Sequence, residues 1–404
     1  MTDLIPPTLP AGGAAQKNAL IRQDIVARLA RSGACTLADL AAGLHVSIPT
    51  ATKLVAELVG QGIVEDRGKI ETAGGRRPNI FGLRGRAAFF VGAAVRSDGL
   101  WLAAIDLNGE VVAERAEHDF VLSDDEATLE DLCHRIETFA EATGLERSEW
   151  LGTGLCLEGY VDGVTGTGHT LFASFGAGLH ERIGQRLGVR TWLEGEVRAR
   201  CYADYWLTAE REPDLLFLCL DRSVSVGMMV GGRLYNGRSG YAGAFGHIPL
   251  FDNGAICVCG RKGCLETEVA GWAIERKLDD ALACGVNSLL QERHAAGQRL
   301  GVDDIVAAAQ AGDSLATDLI GQAGEKIGRS VALLLNLLNP ASVVVGGALA
   351  AAGDYLMLPL LAAANRHALN PIYRETTFRL SQLGTEAGPR GAALLIRNRI
   401  IGIE

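Results

Sequence analysis

The chain has 404 residues, 48% of them hydrophobic and 21% charged. That is a globular composition with room for two or three domains, and it excludes a wholly disordered chain. The net charge of -10 argues against the molecule as a whole binding nucleic acid, but residues 1–86 hold 11 Lys and Arg against 7 Asp and Glu while the remainder holds 27 against 41, so a basic head precedes an acidic body.

The opening "MTDLIPPTLPAGGAA" has Pro and Gly but no basic-then-apolar signal pattern, and residues 1–14 are expected to be a disordered leader. No apolar run reaches membrane-spanning length; "VALLLNLLNP" stops after about ten residues. A cytoplasmic protein without a membrane partner is therefore expected. There, nine cysteines are read as thiols or metal ligands rather than disulfides.

In the head, Leu20, Ile21, Ile25 and Leu29 recur at helical spacing between Asn18 and Arg31, and Gly33 stops that helix. Thr36 with Asp39 three residues on resembles a capping box opening a short second helix, and a tight link follows through Gly43 and His45. Ser47 caps a third helix with Pro49 in its first turn. Ala51, Leu54, Val55, Leu58 and Val59 form its predicted inward stripe, leaving Pro49, Thr50, Thr52 and Lys53 outward. Helix, short helix, turn, helix is the helix-turn-helix order, whose last helix reaches base edges from its N-terminal end. "GIVED" and "KIETAGGRRPNIFGL" then predict a wing bearing Arg76 and Arg77, suited to a narrow minor groove or to phosphates. The candidate DNA-binding residues are thus Ser47, Pro49, Thr50, Thr52, Lys53, Arg76 and Arg77. The alternative is a three-helix interaction module with a solvated basic loop.

From Ala88 the pattern changes to strands: "AFFVGAAV", a turn at Asp98-Gly99, "LWLAAIDL", a turn at Asn108-Gly109, then "VVAER". The motif returns as "LLFLCL", "SVSVGMMV", Gly231-Gly232 and "RLYNG". Two meanders, each followed by helical stretches, predict a duplicated α/β lobe with a ligand cleft between the copies.

Within the second copy, "CVCGRKGCLE" places Cys257, Cys259 and Cys264 in eight residues, with Gly260 and Gly263 bending the backbone and His247 ten residues upstream. Three thiolates and one imidazole fill a tetrahedron, which predicts a closed structural zinc site of His247, Cys257, Cys259 and Cys264. A redox pair would need C-x-x-C near a helix N-terminus; three reduced core cysteines are the alternative. Glu266, two residues past Cys264, is aimed by this site toward the cleft.

"SGYAGAFGHIPL…CVCGRKGCLE" resembles the signature of the ROK family, which groups sugar-responsive repressors with sugar kinases. "SIPTATKL" and "GGRRP" resemble the DNA-binding domain of its repressor branch, and "VVVGGALAAAGDYL" its adenosine-side segment. The resemblance covers residues 15–404. It implies an α/β protein: a winged helix-turn-helix over 15–86, then a two-lobed actin-like ATPase (ribonuclease H-like) body. The first lobe would take 87–195 with 385–404, the second 196–384 with the zinc site, and the assembly would be a homodimer or homotetramer.

The departures from the family bear on function. Where ROK kinases carry an Asp-x-Gly-Gly-Thr phosphate loop, this chain reads "VGAAVRSDG"; where they carry Gly-x-Gly-x-Gly, it has Ser223, Ser225 and Gly227. Glycine is what lets backbone amides approach phosphates closely. The family's Asn and catalytic Asp are Gly195 and Glu196 here, its Glu-x-Gly-His begins with Ala244, and its Pro-Gly pair is Glu158-Gly159. No catalytic residue is therefore expected. Glu196, His247 and Glu266 remain as candidate ligand-binding residues. The expected function is a transcriptional repressor of carbohydrate-metabolism genes that binds a double-stranded operator and answers to a sugar or sugar phosphate. The rival readings are a sugar kinase with an appended DNA-binding head and a ligand-free dimerising regulator.

Overall fold

A computed structural model describes residues 13–69, 78–144, 146–209 and 211–403. Of the expected leader over residues 1–14, residues 1–12 lie outside the described residues, as do the wing-tip residues Arg76 and Arg77, and Ala14 already opens the first helix. The chain divides into two compact units, one of Met1–Ala199 with Gly388–Glu404 and one of Arg200–Ala387.

The first unit opens with three helices, Ala14–Ser32, Leu37–Gly43 and Ile48–Gly60, followed by strands Val64–Lys69 and Asn79–Leu83. The short stretch Cys35–Thr36 pairs with the second of these strands, closing a three-stranded wing sheet. Thr36 and Asp39 form the full capping box, each side chain bonding the other's backbone N–H. The Ser47 hydroxyl accepts from the Thr50 N–H at 3.3 Å, starting the third helix where a capping residue should. Two positions depart from the periodicity. Leu20 is 43% and Val59 38% exposed, because both lie at the edge of an apolar arc that Ile25, Leu29, Ala51, Leu54, Val55 and Leu58 already fill. The link between the second and third helices turns through His45 at φ 54, not through Gly43; a polar side chain tolerates that left-handed conformation better than a β-branched one.

The first-unit sheet runs in the order Arg190–Gly195, Trp150–Leu157, Phe89–Arg96, Gly99–Asp106, Val111–Glu117. Its first two junctions are parallel and its last two antiparallel. The hairpin between Phe89–Arg96 and Gly99–Asp106 turns on Ser97 and Asp98, with Gly99 already paired to Arg96. The final helix, Ala387–Ile401, lies on this sheet with almost no spacing. A Cβ on Gly92 would stand 1.8 Å from the Pro389 carbonyl, and one on Gly154 would stand 1.9 Å from that of Ala392. Only glycine admits a helix backbone so close to a strand. Beyond that helix the Arg31 guanidinium of the first helix bonds the Ile403 carbonyl. The Leu107 N–H donates to the Gly85 carbonyl at 3.0 Å, so the head is tied to the sheet below it.

The second unit repeats the plan. Its sheet runs Arg233–Leu234, Val224–Val230, Leu215–Leu220, Ser342–Gly346, Thr377–Leu380, antiparallel at the first two junctions and parallel at the last two. The core packs this sheet against helices Gly271–Ala283, Val302–Gln310, Ser314–Leu338 and Asp354–His367. Read from its opposite edge, the second sheet matches the first in strand order and sense, as expected of the duplicated α/β lobe. No helix among the described residues is long and apolar enough to cross a membrane.

Candidate functional site

The third helix presents Ser47, Pro49, Thr52 and Lys53 to solvent at its N-terminal end, with Thr50 half-buried beside them. The opposite face, Ala51, Leu54, Val55 and Leu58, is buried. The five described candidates for DNA contact therefore cluster at one helix end. The wing strand pair stands beside that helix, connected through Ile63, whose N–H donates to the Leu58 carbonyl at 3.0 Å.

In the second unit, His247, Cys257, Cys259 and Cys264 offer ligand atoms that all lie within 4.8 Å of one another and could hold a metal ion. The loop that assembles them is pinned at Gly263, whose φ is 75° and where a Cβ would stand 2.1 Å from the Phe251 carbonyl. The Gly263 carbonyl accepts from both the Leu250 and Phe251 N–H groups, at 2.9 and 3.0 Å. A second tight turn joins Cys257 to Arg261, the Cys257 N–H donating to the Arg261 carbonyl at 2.8 Å. The sulfurs of Cys259 and Cys264 are 3.6 Å apart, and His247 Nδ1 is 3.4 Å from the Cys257 sulfur. A tetrahedron with metal–sulfur bonds of about 2.3 Å has edges of about 3.8 Å, so the donor set fits zinc in spacing as well as in chemistry.

Burial raises the pKa of Cys257. Burial and then the neighbouring thiols push Cys264 up to about 12. The Arg261 N–H lowers Cys259. Two of the three sulfurs thus resist ionising, and a bound dication would make thiolates of such a set.

Glu266 follows directly. It is buried, its Oε2 lies 3.5 Å from His247 Nδ1, and its Oε1 accepts from the Trp272 indole at 3.3 Å. Burial raises its carboxyl, against the pull of His247 and Trp272. The structure thus brings His247 and Glu266 together. Glu196, the third candidate ligand residue, belongs to the first unit, where it is 8% exposed and lies 3.6 Å from the Arg96 guanidinium.

Sequence reasoning missed what fastens the thiol loop. Glu268 is a hub: its carboxylate receives Lys277 at 2.8 Å together with Lys326 and Asn253. Asn253, inside the loop, also donates to the Thr267 hydroxyl at 2.9 Å. A carboxylate two residues past Glu266 was a visible signal. Its lysine partners, 9 and 58 residues away, were not.

Sequence reasoning also missed how the strand ends are filled. In the first unit the Ser97 N–H donates at 2.8 Å to Glu158 Oε2. In the second the Ala348 N–H donates at 2.6 Å to Asp221 Oδ1, while Arg200 holds Oδ2 at 2.7 Å. These loops follow the carboxyl ends of adjacent parallel strands, where open α/β sheets place their ligands. A carboxylate already bonded to the amide both occupies it and repels a phosphate.

Comparison with known proteins agrees with this architecture. The family model described as ROK family matches residues 97–399, and the one described as MarR family matches residues 23–67 of the head. The chain is homologous to the "DNA-binding transcriptional dual regulator NagC" of Escherichia coli (strain K12), with 27% identity over 363 residues, 88% of this chain and 86% of that one. The crystal structure of a ROK family transcriptional regulator, a homologue of the E. coli Mlc protein, superposes with a TM-score of 0.81 over 95% of this chain and 97% of that one at 23% identity. This supports the fold. A ROK family glucokinase from Streptomyces griseus superposes at 0.65 with 25% identity, covering 76% of this chain and 99% of its own, so kinases are relatives of the body as well. With its winged helix-turn-helix head and its two like lobes, the chain belongs to the ROK family.

Proposed function

We propose that the chain is a DNA-binding transcriptional repressor of carbohydrate-metabolism genes, controlled by a sugar or sugar-phosphate ligand. It would act in the cytoplasm as a homodimer or homotetramer. The observation that carries this reading is the third helix, whose N-terminal end leaves Ser47, Pro49, Thr52 and Lys53 exposed while its other face is packed. Thr50 joins them at the groove, and Arg76 and Arg77 are assigned to the minor groove or backbone. Glu196, His247 and Glu266 are the side chains we assign to the ligand, which would act by binding the DNA-competent and DNA-incompetent states unequally. The repressor and regulator names of the homologues support the same assignment.

Zinc is the metal we assign to His247, Cys257, Cys259 and Cys264. It would serve as a closed structural centre that stiffens the loop before Glu266, leaving no position for water chemistry.

We assign no phosphoryl transfer to the body. The support is the pair of internal carboxylates, Glu158 on the Ser97 amide and Asp221 on the Ala348 amide, together with the charge of Glu196 being met by Arg96.

The test is binding of the full-length protein to duplex fragments of its own genome across a salt series. Replacing Arg76 and Arg77 by Ala should weaken binding and flatten the log–log salt slope by about 2. No affinity for any duplex in dilute salt refutes the repressor reading, and turnover of ATP with any member of a sugar panel refutes the non-enzymatic one. Thermal shifts against the same sugars and sugar phosphates identify the ligand, since a ligand of the folded state raises the unfolding temperature.

A further inference from the structure

The third helix turns to solvent an apolar face that begins at the edge of its buried arc and runs beyond it. Ile48 is 55% and Val59 38% exposed, and Pro49, Thr52 and Ala56 are exposed with them. At about 100° per residue these positions share one arc of the helix, bordering the buried Val55 and turned away from the buried Ala51, Leu54 and Leu58. A helix face left to water is normally polar, yet here the charged residue is Lys53 at the margin. The hydroxyls do not change the character of the stripe. Thr52 Oγ1 donates to the Ile48 carbonyl at 2.8 Å, and the Ser47 and Thr50 hydroxyls bond each other at 2.8 Å. A hydroxyl whose proton is committed to its own helix donates to no base edge, and Thr52 turns its methyl group to a partner beside it.

We propose, resting on the DNA-binding reading above, that this helix selects its operator by apolar contact with thymine methyl groups in the major groove. Among the edges that base pairs show there, the thymine C5-methyl is the apolar one, whereas guanine is read by Arg or Lys. Ile48, Pro49 and Thr52 lie in the first turns of the helix, the part that reaches base edges in this fold, and Ala56 continues the stripe one turn on. The half-sites are thus chosen for A·T pairs in a set orientation, with each thymine methyl turned toward the stripe, and Lys53 supplies the neighbouring cationic contact.

The experiment selects half-sites for the full-length protein from a random-sequence duplex pool, then replaces each thymine by deoxyuridine, which pairs identically and lacks the methyl. Each methyl in contact should cost about fourfold in affinity when removed. Thr52→Ser keeps the hydroxyl bond to Ile48 and loses only the methyl, so it should make one thymine position indifferent to deoxyuridine at an unchanged melting temperature. Guanine-dominated half-sites, or deoxyuridine without effect at every position, overturn the inference while DNA binding stands. A pool from which nothing is selected overturns both. If Ile48→Ser changes the mass of the assembly and leaves DNA affinity intact, the stripe is a protein contact and the inference falls.

Discussion

In the first lobe the amide comes from the loop after the central strand and the carboxylate, Glu158, from the loop after its parallel neighbour. In the second lobe the roles are exchanged: Asp221 follows the central strand and Ala348 follows the neighbour. The sheets themselves have the same strand order and sense. Glu158 is half-buried and bonds a backbone amide, whereas Asp221 also holds Arg200, whose side chain is 5% exposed. The second lobe further carries the thiol cluster, for which the described residues of the first have no counterpart. Duplication thus preserved the backbone plan, while the side chains at equivalent strand ends reached a similar closure by different routes and with different strength.

The largest expected effect tests whether the second lobe depends on a metal held by the thiol cluster. Cys264→Ser should bring metal content from about one per chain to near zero and cost that lobe about 3 kcal/mol or more, with the first-lobe transition unmoved in a two-transition melt. A metal-free parent of equal stability would remove this difference between the lobes. The next tests the unequal closures directly. Asp221→Ala leaves the Arg200 guanidinium buried without its carboxylate and should cost about 3 kcal/mol in denaturant unfolding.

A third prediction concerns pH. Burial alone would raise the Glu268 carboxyl, but bonds from Asn253, Lys277 and Lys326 outweigh it and hold the group at about 2, against 4.5 for a free glutamate. A depressed carboxyl stabilises the fold above its unfolded value and loses that contribution as pH falls toward its folded one. The stability gap between the parent and Glu268→Gln should therefore be constant above about pH 5, reach up to about 3 kcal/mol there, and close between about pH 4.5 and 2. A gap that persists at pH 2 would assign the hub to packing rather than charge. The smallest effect belongs to the first lobe: Glu158→Ala removes one hydrogen bond and should cost about 1 kcal/mol. Equal losses for Glu158→Ala and Asp221→Ala would erase the contrast drawn between the two closures.

Much of this was legible in the chain itself. The capping box of Thr36 and Asp39, the cap at Ser47 and the repeated strand meander are local patterns, settled by residues within a few positions of one another. The thiol cluster was legible for the same reason, since three of its four donors fall within one turn-rich loop. The closures of the strand ends were not. Glu158 stood out only as a departure from a family pair, and its bond to Ser97 spans 61 positions; Asp221 reaches Ala348 across 127. The outward positions of Leu20 and Val59 were misread because periodicity marks an apolar arc without saying how wide a partner covers it.

The amino-acid sequence by itself determined the element types, the helix caps and the donor set around Cys257, because each depends on backbone preferences or on side chains joined by a short tether. Only the tertiary structure decided which amide each carboxylate would fill, that Lys277 and Lys326 would converge on Glu268, and which apolar residues of the third helix would be left in water. Those outcomes depend on which distant segments the packed sheets and helices bring within bonding distance, and sequence spacing carries no measure of that.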